Sequence, residues 1–300
     1  SEATGEAAGE AAAPADAANE DATGEEGTTA AVAEVDGTSY PSLQAAIDAA
    51  AKNATVKLLA DTYENVTIST TRDVTLDLSG HTLNGGTVKG KPALTVNNTR
   101  VTVQDSSAAQ TGTIMREDTA ETSGVSSHYV IDVQGKDGFL KFTSGTVKNN
   151  SGTANGAKGA SLVRVGNDAY RDANPTMTIT GGTFTQDNFI AIKVDFGTLH
   201  VLGGEINCAN SYAIENWRTA NIKDSAVING NVSSWTYSGG ISSKLTIAGG
   251  TVNGNVESVT YDGAEDKTAK VSITGGTVNG TLSAGKYGST NFDDPAKATI

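Results

Sequence analysis

Short alternating strand patterns, joined in pairs by Gly-Gly or a close variant, recur along the chain. The clearest copies are four segments: Met177–Thr185, Leu199–Asn207, Leu245–Asn253 and Val271–Asn279. Weaker copies are Val74–Asn84, Val101–Ile114, Leu140–Val147 and Ala220–Asn229. Repeats of this length with strand periodicity are typical of a solenoid, in which one coil cannot bury its apolar face alone. The sequence therefore predicts an all-β solenoid.

The spacing of the corner residues narrows this prediction to a parallel β-helix. Gly182, Gly204 and Ala226 follow one another at intervals of 22 residues, and longer intervals contain polar insertions. These insertions, predicted to be loops, are Arg116–His128, Asn149–Ala160 and Asn167–Pro175. Parallel crossovers are nearly always right-handed, so a right-handed helix is expected. Alternation predicts that Leu199 and Val201 point inward, and glycine at the corner is expected to supply a positive φ.

Composition divides the chain into three parts. Residues 1–33 form an Ala/Gly/Glu tract, whose first thirty residues contain eight acids and no base, and we predict a disordered tail. Residues 34–55 are predicted to be a linker and an N-terminal capping α-helix over Ser42–Asn53, since Leu43, Ala46, Ile47 and Ala50 share one helical face. Residues 56–300 are predicted to be the parallel β-helix, truncated at its C-terminal end.

Other classes of protein are disfavoured by composition. The net charge is −13, and no run of Lys and Arg provides the footprint of a nucleic-acid binder. No stretch approaches the length of a membrane span. The single cysteine, Cys208, allows no internal disulfide. We expect an extracellular chain whose export signal and any wall anchor lie outside this sequence.

Four segments near the N-terminus carry a resemblance to a known family. They are Val35–Tyr40, Ser42–Ile47, Val56–Asp61 and Leu76–Leu83. Their order resembles the opening of the pectin-lyase-like right-handed β-helix superfamily, in particular the β-helix modules of bacterial cell-surface and adhesin-type proteins. The resemblance covers most of the chain and implies a fold and a cell-surface location. It implies no single activity, because one fold hosts many functions.

One column of outward residues could support chemistry. When the coils are aligned, the first strand of each coil presents Thr95, Asp132, Arg164, Lys193 and Glu215. A polysaccharide lyase needs a base and a cation of this kind, so an enzyme would use Asp132, Arg164, Lys193 and Glu215. The alternative is a structural charge ladder with the pairs Asp132–Arg164 and Lys193–Glu215. Alternating signs do not form a converging carboxylate site, and no metal or cofactor is predicted.

Two further columns involve asparagine and aromatic residues. Stacked corner asparagines are predicted at Asn84, Asn207, Asn229, Asn253 and Asn279. Eight residues after the last three of these come Tyr237, Tyr261 and Tyr287, and the only tryptophans are Trp217 and Trp235. Exposed aromatic rows bind sugar rings or anchor protein partners. We therefore predict these five aromatic residues as the ligand site, and on such a surface the rings of Trp217, Trp235 and Tyr237 should be more than half exposed. The alternative is an aromatic ladder that packs loops against the coils.

These patterns favour a non-catalytic, monomeric β-helix module of a bacterial adhesin or stalk that binds host or cell-wall glycans or surface proteins. The alternative is a polysaccharide lyase or glycoside hydrolase acting in the groove over the first strands. An ice-binding Thr-x-Thr face is disfavoured because the coil length varies.

Overall fold

The structure is a computed structural model that describes residues 29–69, 73–88, 90–117, 129–149, 161–261, 263–264, 266–287 and 298–299. Contacts divide the chain into two units, residues 1–30 and 31–300. The predicted tail falls outside the described residues up to residue 28, and its last residue, Ala33, is buried in the first strand. The insertions at 116–128 and 149–160 also lie almost wholly outside the described residues.

The first elements of the second unit are a hairpin and a helix. Strands β1 (Ala33–Val35) and β2 (Thr38–Tyr40) pair antiparallel, and β1 also pairs antiparallel with β3 (Thr55–Leu58). Helix α1 (Leu43–Ala49) follows β2, and the Oγ of Ser42 accepts a hydrogen bond from the Ala45 amide at 3.1 Å. The helix is shorter than predicted because Ala50 adopts an extended conformation. The apolar face was predicted correctly, since all four of its members are buried: Leu43, Ala46, Ile47 and Ala50.

From β3 onward every strand pairing is parallel, and the strands fall into three rows. Row one contains β5 (Val66–Ser69), β8 (Leu94–Asn97), β11 (Ile131–Gln134), β14 (Val163–Val165), β17 (Ile192–Val194), β23 (Val256–Tyr261) and β25 (Leu282–Tyr287). Row two contains β3, β6 (Val74–Asp77), β9 (Arg100–Gln104), β12 (Phe139–Phe142), β15 (Thr176–Ile179), β18 (Thr198–Val201), β20 (Thr219–Ile222) and β26 (Ala298–Thr299). Row three contains β4 (Thr62–Tyr63), β7 (Thr82–Asn84), β10 (Thr113–Arg116), β13 (Thr146–Asn149) and β16 (Thr183–Thr185).

Four long strands bend from one row into the next. Strands β19 (Glu205–Asn216) and β21 (Val227–Thr236) begin in row three and end in row one. Strands β22 (Ser243–Val252) and β24 (Ala269–Val278) begin in row two and end in row three. Each row therefore continues through the last coils. Apart from α1 and a 3₁₀ turn at Asp168–Tyr170, the regular structure described is all-β and consistent with a β-solenoid.

Alternation along each strand fills the interior. Leu199 and Val201 are fully buried, as predicted, and so are their row-two neighbours Met177 and Ile179. The corner glycines have positive φ, for example 76° at Gly204. A Cβ atom at Gly204 would lie 2.8 Å from the carbonyl oxygen of Gly182. Stacked coils therefore require glycine there both for its conformation and for the close approach of the backbones.

The predicted asparagine stack exists in the last coils. Each Nδ2 donates to the Oδ1 of the preceding asparagine at 2.8 Å, in the order Asn279 to Asn253 to Asn229 to Asn207. Asn84 does not join this stack, because its amide contacts Glu117 and the Gly86 amide instead.

Asp105 organises a corner between rows two and three. Its side chain is almost fully buried and accepts backbone hydrogen bonds from Gly80 at 2.9 Å, Ser107 at 3.0 Å and Gly112 at 2.6 Å. Burial raises the pKa of Asp105, but the hydrogen bonds from Ser107, Gly112 and Gly80 outweigh it and lower the pKa overall. The carboxylate therefore joins two successive coils.

Candidate functional site

Row one brings the predicted charged column together. Asp132 lies opposite Arg164, Arg164 opposite Lys193, and Lys193 opposite Glu215, each on the neighbouring strand. Thr95 lies opposite Asp132 on the other side. Neighbouring strands are about 4.8 Å apart, so the four ionisable side chains form one continuous row on the surface of the coil stack.

Asp132 and Arg164 form the ion pair that the sequence predicts. The guanidinium Nε lies 3.0 Å from Oδ1 and Nη2 lies 2.6 Å from Oδ2, a two-bond pairing. The same guanidinium lies 4.6 Å from the centre of the buried Tyr129 ring. Burial lowers the pKa of Arg164, but the hydrogen bond and charge of Asp132 outweigh it and raise the pKa. The two side chains are therefore engaged with each other.

Lys193 and Glu215 lie opposite each other on neighbouring strands, as predicted, but the ion pair of Lys193 is formed with Asp195. Lys193 Nζ lies 3.4 Å from Oδ1 of Asp195, which follows two residues later and so points to the same side of the strand. Burial lowers the pKa of Lys193, and the negative charge of Asp195 more than compensates, so that the pKa is raised. Lys193 therefore pairs with Asp195, which directly follows β17, and not with Glu215 on the neighbouring strand.

Glu215 is instead bound by an aromatic side chain. Its carboxylate is 7% exposed, and Oε1 accepts a hydrogen bond from Trp217 Nε1 at 2.7 Å. Burial raises the pKa of Glu215 to about 7, against the Trp217 hydrogen bond and the Lys193 charge, which lower it. The carboxyl therefore changes charge near neutral pH.

The row continues beyond Glu215 through two residues that the sequence analysis did not single out. Ser233 lies opposite Glu215, and Glu257 lies opposite Ser233. Ser233 is fully buried and its Oγ has no hydrogen-bond partner. Glu257 accepts hydrogen bonds from the Tyr212 hydroxyl and from Trp235 Nε1 at 3.1 Å. The 24-residue interval from Ser233 to Glu257 matches the coil length there and was the available signal.

Five aromatic side chains, which we call the aromatic cluster, lie over this end of row one: Tyr212, Trp217, Trp235, Tyr237 and Tyr261. The ring centres of Trp217 and Trp235 are 5.2 Å apart, edge to face, and Tyr212 lies 4.8 Å from Trp235. Tyr237 contacts Trp217 at 5.3 Å, and Tyr261 contacts both indoles. The strand register continues from Tyr261 to Tyr287, whose side chain lies outside the described part.

The aromatic cluster is more buried than expected. All five side chains are only partly exposed. On a binding surface, the rings of Trp217, Trp235 and Tyr237 were predicted to be more than half exposed. The reason for the greater burial is that the rings pack against one another, mostly edge to face with Trp217 stacked on Tyr261, and the indole N–H groups bind Glu215 and Glu257. What faces solvent is part of the ring surface, next to two carboxylates.

A cavity lies at the C-terminal ends of strands β8 and β11, and the sequence did not predict it. It has a volume of about 630 Å³ and lies at the turn after β11, against the 3₁₀ turn, with Asn98, Gln134, Lys136, Tyr170 and Arg171 among its lining residues. Tyr170 is 62% exposed. The predicted insertion Asn167–Pro175 was the only signal for this cavity.

Cys208 lies in the apolar interior. The Cys208 thiol is buried, which raises its pKa to about 11. No three His, Cys, Asp or Glu side chains converge as a metal site within the described ranges. In the same part of the chain, no helix is long and apolar enough to cross a membrane. Comparison with protein-family models, with curated proteins and with solved structures gives no match.

Proposed function

We propose that residues 34–300 form a non-catalytic, right-handed parallel β-helix module of a bacterial cell-surface adhesin or stalk, which binds glycans or proteins outside the cell. The pectin-lyase-like resemblance of the opening segments supports this proposal. So does the parallel stacking of three strand rows from β3 onward. In this proposal helix α1 and the β1–β2 hairpin close the N-terminal end of the apolar interior, since Leu43 and Ile47 are buried against it.

The observation that carries the non-catalytic assignment is the state of the charged row. Asp132 holds Arg164, and Asp195 holds Lys193. Glu215 and Glu257 accept hydrogen bonds from Trp217 and Trp235. Each of these groups is engaged with a neighbour, whereas acid–base catalysis needs a group that can reach a substrate proton.

The aromatic cluster supports glycan binding. Partly exposed indole and phenol surfaces provide apolar faces on which sugar C–H groups pack. Glu257 is only partly buried, and its hydrogen bonds from Tyr212 and Trp235 both end on Oε1, so its other oxygen can accept a hydrogen bond from a sugar hydroxyl. A protein partner would use the same rings as anchors.

Intrinsic fluorescence tests this site directly, because both tryptophans of the chain belong to the aromatic cluster. Glycans in a panel of neutral and acidic oligosaccharides are titrated against the protein, and a binder is expected to change the emission. Trp235→Ala should then weaken binding by about 1–3 kcal/mol. Tyr63→Ala, which removes a ring that is 72% exposed in row three, is the matched control and should leave binding unchanged. A panel that gives neither an emission change nor calorimetric heat would contradict the proposal.

A second candidate is a polysaccharide-degrading enzyme, favoured by the pKa of Glu215 near 7 beside Lys193. A carboxyl with that pKa suits a general acid. Turnover of a polysaccharide by the parent chain would favour the enzyme under two conditions. Glu215→Gln, Arg164→Ala or Lys193→Ala should abolish turnover, and Trp235→Ala should only raise KM.

A further inference from the structure

Row two presents a basic face that no linear run of the sequence shows. Between β9 and β24 its outward strand positions carry four cations: Arg100, Lys141, Lys244 and Lys270. Lys223 follows β20 directly, in the turn that also holds Asp224. None of the outward strand positions holds Asp or Glu. Most of the others are hydroxyl residues: Thr102, Thr176, Thr178, Thr198, Thr219, Thr246 and Ser272. We call this surface the basic face.

The cations of the basic face are exposed and unpaired. None has a carboxylate within 4.0 Å in the part of the chain that the structure describes. Asp73, at the turn leading into the row, is paired with Lys52 at 3.3 Å. In row one, by contrast, Arg164 and Lys193 both have carboxylate partners. In a chain with net charge −13, these unpaired cations collect on one face.

Two of the lysines lie directly opposite each other. Lys244 of β22 is the register partner of Lys270 of β24. Like charges at directly opposed positions destabilise a sheet. Among the described residues, no carboxylate lies within 4.0 Å of either lysine to offset this repulsion, which is the arrangement expected where an anionic partner supplies the missing charge.

The shape of the basic face suits a long, flat ligand. Seven strands from β9 to β24 span roughly 29 Å along the stack at about 4.8 Å per strand. A shallow groove of about 520 Å³ crosses its first strands, and its lining includes Arg100, Phe139 and Lys141, with Asp73 as its one acidic residue. The Arg100 guanidinium lies 4.0 Å from the centre of the Phe139 ring. Lysine ammonium groups act as point charges that accept anions in many orientations.

From these observations we infer that the basic face binds a linear anionic glycan, one whose sugars carry carboxylate or sulfate groups. The cations meet the anionic groups, and the threonine hydroxyls bind sugar hydroxyls between them. Single-stranded nucleic acid fits less well, because bases need stacking partners and the rings on these outward positions are Phe139 and the smaller imidazole of His200. This site is independent of the aromatic cluster, which lies over row one.

The test is calorimetric titration of the whole chain with dextran sulfate, polygalacturonate, single-stranded DNA and neutral dextran at several salt concentrations. Binding of one or both anionic glycans, weakening with salt, and none of neutral dextran is expected. The two anionic glycans separate sulfate from carboxylate recognition. Lys244→Gln with Lys270→Gln should weaken binding about tenfold and flatten the salt dependence. The same pair of changes should leave the melting temperature unchanged or raise it, because the opposed charges are gone.

The matched control is Lys91→Gln with Lys148→Gln, which removes two exposed lysines outside row two. It should bind like the parent chain. Equal weakening by both double variants, equal binding of neutral dextran, tighter binding of DNA than of either anionic glycan, or no binding of any polymer would each overturn the inference. Because tryptophan emission reports on the aromatic cluster, a failure here is distinguishable from a failure of the proposed function.

Discussion

Replacing Asp105 by asparagine tests how far one carboxylate holds two coils together. The change keeps shape and volume but converts one oxygen into an amide donor. If the remaining oxygen stays with the Gly80 and Ser107 amides, the new N–H₂ group faces the Gly112 amide across 2.6 Å. A charge-assisted hydrogen bond of about 1.5–3 kcal/mol is lost, and the buried Gly112 N–H is left without an acceptor. We expect a destabilisation of about 2–4 kcal/mol.

Urea denaturation measures this loss, and Asp61→Asn is the control. Asp61 also accepts a backbone hydrogen bond, from Thr82 at 2.8 Å, but its side chain is 71% exposed. Its replacement should cost less than about 1 kcal/mol. Coils of a solenoid can unfold partly independently, so hydrogen exchange at the Gly80 and Gly112 amides should show the loss locally. Equal urea midpoints for the two variants would refute the reasoning.

The same residue should make stability depend on acid. The folded pKa of Asp105 lies below its ordinary value of 3.8. Its contribution is therefore present above pH 4 and is lost as the pH falls through the folded pKa. The stability difference between parent and Asp105→Asn should shrink in that range. A difference that stays constant down to the acid transition would show that the charge of the carboxylate is not what matters.

Three further predictions concern other parts of the molecule. Glu215 has a folded pKa of about 7 against an ordinary 4.5, so its contribution to stability is present below pH 4.5 and is lost as the pH rises through 7. In urea melts, Glu215→Gln should therefore be more stable relative to the parent at pH 8 than at pH 5. A stability difference that does not depend on pH would contradict this. Leu43→Asp or Ile47→Asp should lower the free energy of unfolding by several kcal/mol, since each places a charge against the apolar interior, and light scattering should detect oligomers. Monomers of parental stability would show that α1 does not cover the interior. Asn253→Ala removes two side-chain hydrogen bonds of the stack and should cost about 1–2 kcal/mol in thermal melts, whereas Asn210→Ala, outside the stack, should cost less.

The interior and the corners could be predicted from sequence because each depends on local patterns. Alternation of period two placed Leu199 and Val201 inside, and the Gly-Gly corners marked where positive φ is needed, as at Gly204. The register between coils also followed from counting, which is why the order Asp132, Arg164, Lys193, Glu215 was correct.

What sequence could not provide was the choice among partners within reach. Lys193 lies opposite Glu215 on the neighbouring strand and two residues before Asp195, and only side-chain geometry selects Asp195. The basic face was missed for another reason. Lys244 and Lys270 are 26 residues apart, so they look scattered in sequence, although that interval equals the coil length at this point.

The in-register stacking of the coils has a consequence for how such a molecule can change its length. Duplication of one coil would add about 4.8 Å to the stack and one position to every row at the same time. A longer chain would thus gain reach, another corner asparagine and another place for a lysine on row two in a single step. Length and multivalent contact are coupled in this architecture, and selection for one would bring the other with it.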